Sequence, residues 1–187
     1  MATEKGSLIF KPYFVQRGVG PNLLDWAYAC DENWDAFYSN ITSSNEGVVI
    51  SDTFGVEKFS VEVRWNVEDF GYIFISADNG GEYYQLPPSG ETKEMNLNFE
   101  LAKRRVFRNR RRIEKHKSNG WIPSYEIMSF VHLAEELFND AERQQNQKEK
   151  CAELSQKSLL YAMHASEKIE VEKAKFDIQL NGLRKNF

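Results

Sequence analysis

The chain reads as an α+β protein: an antiparallel β-sandwich of jelly-roll type, then a segment of three amphipathic helices, the last one long. Two observations predict this. Of the 25 Phe, Trp and Tyr residues, 16 precede residue 97, where short apolar runs alternate with turn residues. Beyond it Glu, Lys, Ala and Gln take over, and apolar residues recur at helical spacing. The boundary divides the 187 residues into a β region over 1–96 and a helical region over 97–187. A hydrophobic share of 41% is enough for a packed core.

In the β region, residues 7–15 form the first candidate strand, closed by the breaker run Arg17-Gly18-Val19-Gly20-Pro21-Asn22. Residues 25–30 alternate, with Trp26, Tyr28 and Cys30 on one side, and 47–51 is a short β-branched run. Phe59, Val61, Val63 and Trp65 share one face, while Ser60, Glu62 and Arg64 point the other way, the pattern of a half-buried strand. Residues 70–77 are apolar on both faces, which predicts a central strand. Asp78-Asn79-Gly80-Gly81 tolerates positive φ and predicts a hairpin into 83–86.

Pro87-Pro88-Ser89-Gly90 ends this region, and the helices are expected at about 98–117, 124–143 and 148–183. Ser118-Asn119-Gly120 stops the first, and Ser124 caps the second. In the second, Ile127, Phe130, Val131, Ala134, Leu137, Phe138 and Ala141 keep a three-four rhythm. In the third, Ala152, Ser155, Leu159, Ala162, Ser166, Ile169, Lys173, Phe176, Leu180 and Leu183 make a longer seam.

Charge is distributed against the overall balance. The chain is acidic, with 24 basic and 28 acidic residues, yet 103–117 (KRRVFRNRRRIEKHK) holds nine Lys and Arg against one acid, Glu114. This run has two readings. It pairs internally with carboxylates on the later helices, Glu126, Glu135, Glu136, Asp140, Glu142, Glu149, Glu153, Glu167, Glu170 and Glu172. Alternatively it presents an anion-binding set, Arg104, Arg108, Arg110, Arg111 and Arg112, to nucleic acid or a partner. A nuclear-import signal also fits the composition. Val106, Phe107 and Ile113 interrupt the run and argue for one buried side.

Several chemistries lack their motifs. Gly18-Val19-Gly20-Pro21 lacks the third glycine of a phosphate loop, and His116, His132 and His164 stand alone on their helices. Cys30 and Cys151, far apart and without metal-ligand spacing, read as buried small apolar residues. No catalytic residue, metal site or cofactor is expected. No stretch approaches the roughly 20 apolar residues of a membrane span. The start MATEKGSLIF is not a secretory signal, so the chain as given reads as cytoplasmic, and Asn40-Ile41-Thr42 is not expected to be glycosylated.

What remains is an aromatic binding surface. Flat rings with a polar tip suit the faces of sugar rings. Trp26, Tyr28, Trp65 and Tyr72 lie in regular strands and are expected in the core. Trp34, within the polar run Asp31-Glu32-Asn33-Trp34-Asp35, is hard to explain by packing. Trp34, Tyr38, Tyr83 and Tyr84 are therefore the candidate carbohydrate-binding residues, while Trp121 is expected to plug the helix junction.

The layout also resembles a known group. Leu101-Ala102-Lys103-Arg104 at a helix start, Arg108-Asn109 one turn on, Gly120-Trp121 before the second helix and Tyr84-Gln85-Leu86-Pro87 ahead of the first are similar to the N-terminal region of bacterial proteins resembling family 10 glycoside hydrolases, the endo-β-1,4-xylanases. In that group a β region of about 90 residues ends in a strand that runs into the first helix, and a (β/α)8 barrel of about 250 residues follows. The resemblance covers essentially the whole chain, which departs from the pattern in its basic run. It implies an accessory module without catalytic residues, which either binds β-1,4-linked polysaccharide or oligosaccharide or docks the C-terminal catalytic barrel of a parent chain.

Overall fold

The computed structural model describes residues 6–14, 26–44 and 46–182. Val15, the breaker run at 17–22, Asp25 and Leu183 lie outside the described residues.

The protein is α+β, with seven strands in two mostly antiparallel sheets followed by three helices. The strands are β1 (Ser7–Lys11), β2 (Ala27–Cys30), β3 (Asn40–Ser44), β4 (Gly47–Asp52), β5 (Ser60–Val67), β6 (Gly71–Ala77) and β7 (Thr92–Asn96). The first sheet has the order β3-β4-β1-β7 and the second β2-β5-β6. One pair is parallel: β7 lies beside β1 with Ser7 opposite Thr92 and Lys11 opposite Asn96. The helices are α1 (Leu97–Lys117), α2 (Tyr125–Arg143) and α3 (Lys148–Asn181).

Local chemistry explains the helix boundaries. β7 runs directly into α1, whose first turn is capped by the Asn96 side chain accepting from the Phe99 N–H. Ser124 caps α2 in the same way through the Ile127 N–H, and its hydroxyl also donates to Glu172 on α3 at 2.6 Å. The small residues predicted for the α3 seam, Ala152, Ser155, Ala162 and Ser166, allow close packing and are buried, as are Leu159 and Ile169. Beyond Ile169 no described residue of α3 is buried, and Leu180 is exposed.

A continuous core joins the two regions. Phe10, Val48 and Ile50 of the first sheet cluster with Phe59, Val61, Val63 and Trp65 around the second, and with Leu97, Leu101, Leu159 and Ala162 of the helices. The Trp65 indole N–H donates to Gln156 on α3 at 3.0 Å. A smaller cluster of Ile113, Trp121, Ile127, Val131, Ala165 and Ile169 closes the far end of the helices, with Trp121 plugging the junction. Asn109 ties α1 to α3, donating to the Ala162 carbonyl and accepting from the Ser166 hydroxyl, both at 2.7 Å.

Several local expectations change. The strand at 70–77 is not central: β6 pairs with β5 alone among the described residues, and β5 is the middle strand. β5 is buried on both faces at its start, since Ser60 and Glu62 are covered as well as Val61 and Val63. Arg104 and Arg105 of α1 supply the charge beside Glu62. Asp78-Asn79-Gly80-Gly81 makes no hairpin; Asn79–Gly81 is one turn of 3-10 helix, and 83–86 meets the sheet only through a Phe59–Tyr84 bridge. β3 was not anticipated, because its NITSS sequence has the polarity of an edge strand and lacks apolar alternation.

Candidate binding cleft

Trp34, Asp78, Arg104, Arg108 and Arg111 line a cleft of about 430 Å³. It lies where two loops meet the basic helix, and each wall has a local cause. In the first loop, the Asp31 carboxylate accepts from the N–H groups of Asn33 (2.8 Å) and Asp35 (3.0 Å), an Asx-type turn. That turn leaves Trp34 in the left-handed region at φ 69°. In the second loop, the N–H groups of Gly81 and Tyr83 both donate to the Asp78 carbonyl, and Tyr83 takes φ 63°. Left-handed backbone in bulky residues costs energy and concentrates at functional sites. Here two such residues face each other: the rings of Trp34 and Tyr83 are 6.3 Å apart, and the Tyr83 hydroxyl donates to the Glu32 carbonyl at 3.3 Å.

The helix wall follows from periodicity. Arg104, Arg108 and Arg111 stand at i, i+4 and i+7, one stripe of α1. Arg104 is buried, donates from Nε to Asp78 at 3.0 Å, and lays its guanidinium 4.5 Å over the Trp34 ring. Burial pulls the Arg104 guanidinium below its ordinary value, opposed by the charge of Asp78. Desolvation likewise pushes the Tyr83 phenol up, with Asp78 and Glu32 adding to it. Arg111 lies flat against Gly81, where an added Cβ would meet its Nη1 at 2.3 Å. Asp78 is 4% exposed, and its Oδ1 has no hydrogen-bond partner. The indole of Trp34 remains 44% exposed.

The two candidate sets drawn from the sequence therefore meet only in part. Trp34 shares the cleft with Arg104, Arg108 and Arg111, and Tyr83 stands beside Trp34 without lining it. Tyr38 is elsewhere, 80% exposed and packed on Phe54 at 4.9 Å. Tyr84 is a core residue: it contacts Phe10 and Phe59, and its hydroxyl donates to the Glu100 carboxylate at 2.6 Å. Arg110 pairs with Glu135 at 2.9 Å and Arg112 with Glu170, so these two hold helices together. The 104-108-111 spacing was readable in the sequence. Its meeting with Trp34, some 70 residues earlier, was not.

Three residues expected in the core are on the surface. Trp26, Tyr28 and Tyr72 are exposed, and with Phe74 they form an aromatic patch on and beside the second sheet, where Arg64 sits 4.9 Å over the Tyr72 ring. Trp65 is buried as expected. A second hollow, of about 370 Å³, lies between β7, α1 and the start of α3. There Tyr13, Glu94 and Lys148 bond to one another, so its polar groups are largely satisfied. Among the described residues no group of three or more His, Cys, Asp or Glu is placed to hold a metal ion, and no helix is long and apolar enough to cross a membrane. Cys30 and Cys151 are buried free thiols, and burial pushes Cys30 up to about 11.

Comparison with protein-family models, with curated proteins and with solved structures finds no match. Nothing in those comparisons links the chain to the family 10 glycoside hydrolases.

Proposed function

We propose that the chain is a non-catalytic accessory module that binds β-1,4-linked glycan, of the kind that precedes the catalytic barrel of xylanase-like hydrolases, and that the cleft at Trp34 is its binding site. The observation that carries this reading is the pairing of Trp34 and Tyr83, two strained aromatic residues held open beside polar and charged groups. An indole braced on one face by Arg104 offers apolar contact to a sugar ring, while the surrounding arginines and Asp78 offer hydrogen bonds to its hydroxyls. A jelly-roll-like arrangement of the two sheets, as in lectin domains, belongs to the same reading. Such a module raises the concentration of substrate near a linked catalytic domain without adding chemistry. The alternative within the same reading is a platform on which that domain docks.

The second reading, a helical module contacting a partner protein or nucleic acid through 103–117, draws on Arg108 and Arg111, which have no carboxylate within 4.0 Å among the described residues. It is the weaker one, because Arg104, Arg110 and Arg112 are engaged within the fold.

The test is retention of the purified chain on insoluble xylan and cellulose, followed by titration with the soluble oligosaccharide. Trp34→Ala is expected to weaken binding by about tenfold or more, the scale of losing an aromatic anchor, and Phe74→Ala to leave it intact. Loss of binding in Phe74→Ala alone would move the site to the sheet patch. A wild-type chain that binds no β-glycan would sink the reading.

A further inference from the structure

We infer that the ligand of the Trp34 cleft is an acidic saccharide, whose carboxylate is received by Arg108 and Arg111; this rests on the glycan-binding role proposed above. Charge is the first ground. The chain outside 103–117 holds 15 basic and 27 acidic residues, so carboxylates are abundant. They neutralise Arg104 through Asp78, Arg110 through Glu135 and Arg112 through Glu170. Arg108 and Arg111, on the one stripe of α1 that faces the cleft, have no such partner among the described residues. An unmatched pair of guanidinium groups beside an aromatic ring has the charge and the planar donor geometry to take a carboxylate.

The second ground is access. Arg108 and Arg111 are both exposed, and the Arg111 guanidinium lies against Gly81 in space that a side chain there would contest. The third is Asp78, which lines the cleft and whose buried Oδ1 has no partner. A buried acceptor left unpaired is costly, and a sugar hydroxyl is the donor that would satisfy it. Hydroxyl donors, a carboxylate and an apolar ring face occur together on one rigid unit in a uronic acid. The volume, near the lower end of the roughly 300–1,000 Å³ typical of ligand pockets, suits a terminal or branch sugar better than a long chain. A phosphate dianion fits less well, because Asp78 stands in the same cleft. A nucleic-acid backbone needs a longer track of open cations than two.

The experiment is calorimetric titration of the full chain with a β-1,4-linked xylo-oligosaccharide bearing one glucuronate branch, and with the same oligosaccharide lacking it. The acidic ligand is expected to bind about tenfold tighter or better, with an advantage that shrinks at high salt. Arg108→Gln with Arg111→Gln is expected to erase that advantage, bringing the two oligosaccharides to equal affinity, and to keep the circular dichroism spectrum of the parent. Equal affinity for the two oligosaccharides overturns the inference and leaves the glycan-binding role standing; no affinity for either overturns both. An advantage that survives the double substitution places the carboxylate elsewhere and also overturns it. So does displacement of the acidic ligand by equimolar inorganic phosphate or a single-stranded oligonucleotide, which would mark a general phosphate site.

Discussion

Glu100 is a carboxylate in the wrong solvent. It is buried in the first turn of α1, and desolvation pushes its pKa up, opposed by the Tyr84 hydroxyl that donates to it. An acid whose folded pKa lies above its unfolded one holds an extra proton in the native state. Its contribution to stability is fully present below the unfolded value of about 4.5 and is lost as pH rises through the folded value. Glu62, also raised by burial, acts in the same direction. Glu100→Gln keeps an acceptor for Tyr84 and removes the charge. Thermal melts from pH 4 to 8 are expected to show the variant gaining on the parent as pH rises, and a constant difference between the two would refute the buried-charge account.

At the scale of the element, α1 divides its charges between two tasks. The Arg110 and Arg112 pairs with Glu135 and Glu170 bind it to α2 and α3, and both are partly exposed, so each contributes about 0–1 kcal/mol. The stripe of Arg104, Arg108 and Arg111 faces the cleft. Reversal at Arg110 and Arg112 together is expected to lower the melting temperature by a few degrees at low salt and less at high salt, as like charges then face each other. Arg111→Glu is expected to leave the melting temperature within a degree or so and remove the preference for an acidic ligand. The opposite pattern, with Arg111 setting stability, would show that the cleft arginine is structural. One basic run thus contains internal charge matching and an unmatched surface, separated by about 100° per residue around the helix.

Across the whole molecule, the sheets and helices share a core. Trp65 is covered from α3, Tyr84 bonds to α1, and the largest cluster takes residues from every helix and both sheets. Far-ultraviolet dichroism and tryptophan fluorescence are expected to report one coincident unfolding transition, as in other two-state folds. Two separated transitions, with the β signal surviving loss of the helices, would show that residues 1–96 are stable alone.

Elements with strong local periodicity were legible in the chain: the buried face of β5 formed by Val61, Val63 and Trp65, the seam of α3 through Ile169, and the cap at Ser124. These depend on short-range rules of spacing and hydrogen bonding that a few residues satisfy by themselves. The class of fold, strands then helices, was legible for the same reason. Only the tertiary structure decided that β6 is an edge strand, that Glu62 is covered, that Tyr84 is core and Tyr28 surface. An apolar strand has the same alternation whether or not a second layer arrives, so the arrival of α1 chooses which face is buried. The cleft follows the same logic. Trp34 was recognisable as a tryptophan in a polar loop and the arginines as part of a basic run, but their meeting required a buried ion pair from Arg104 to Asp78 and an indole under that guanidinium. Those contacts join residues 34, 78 and 104, and no spacing along the chain encodes them.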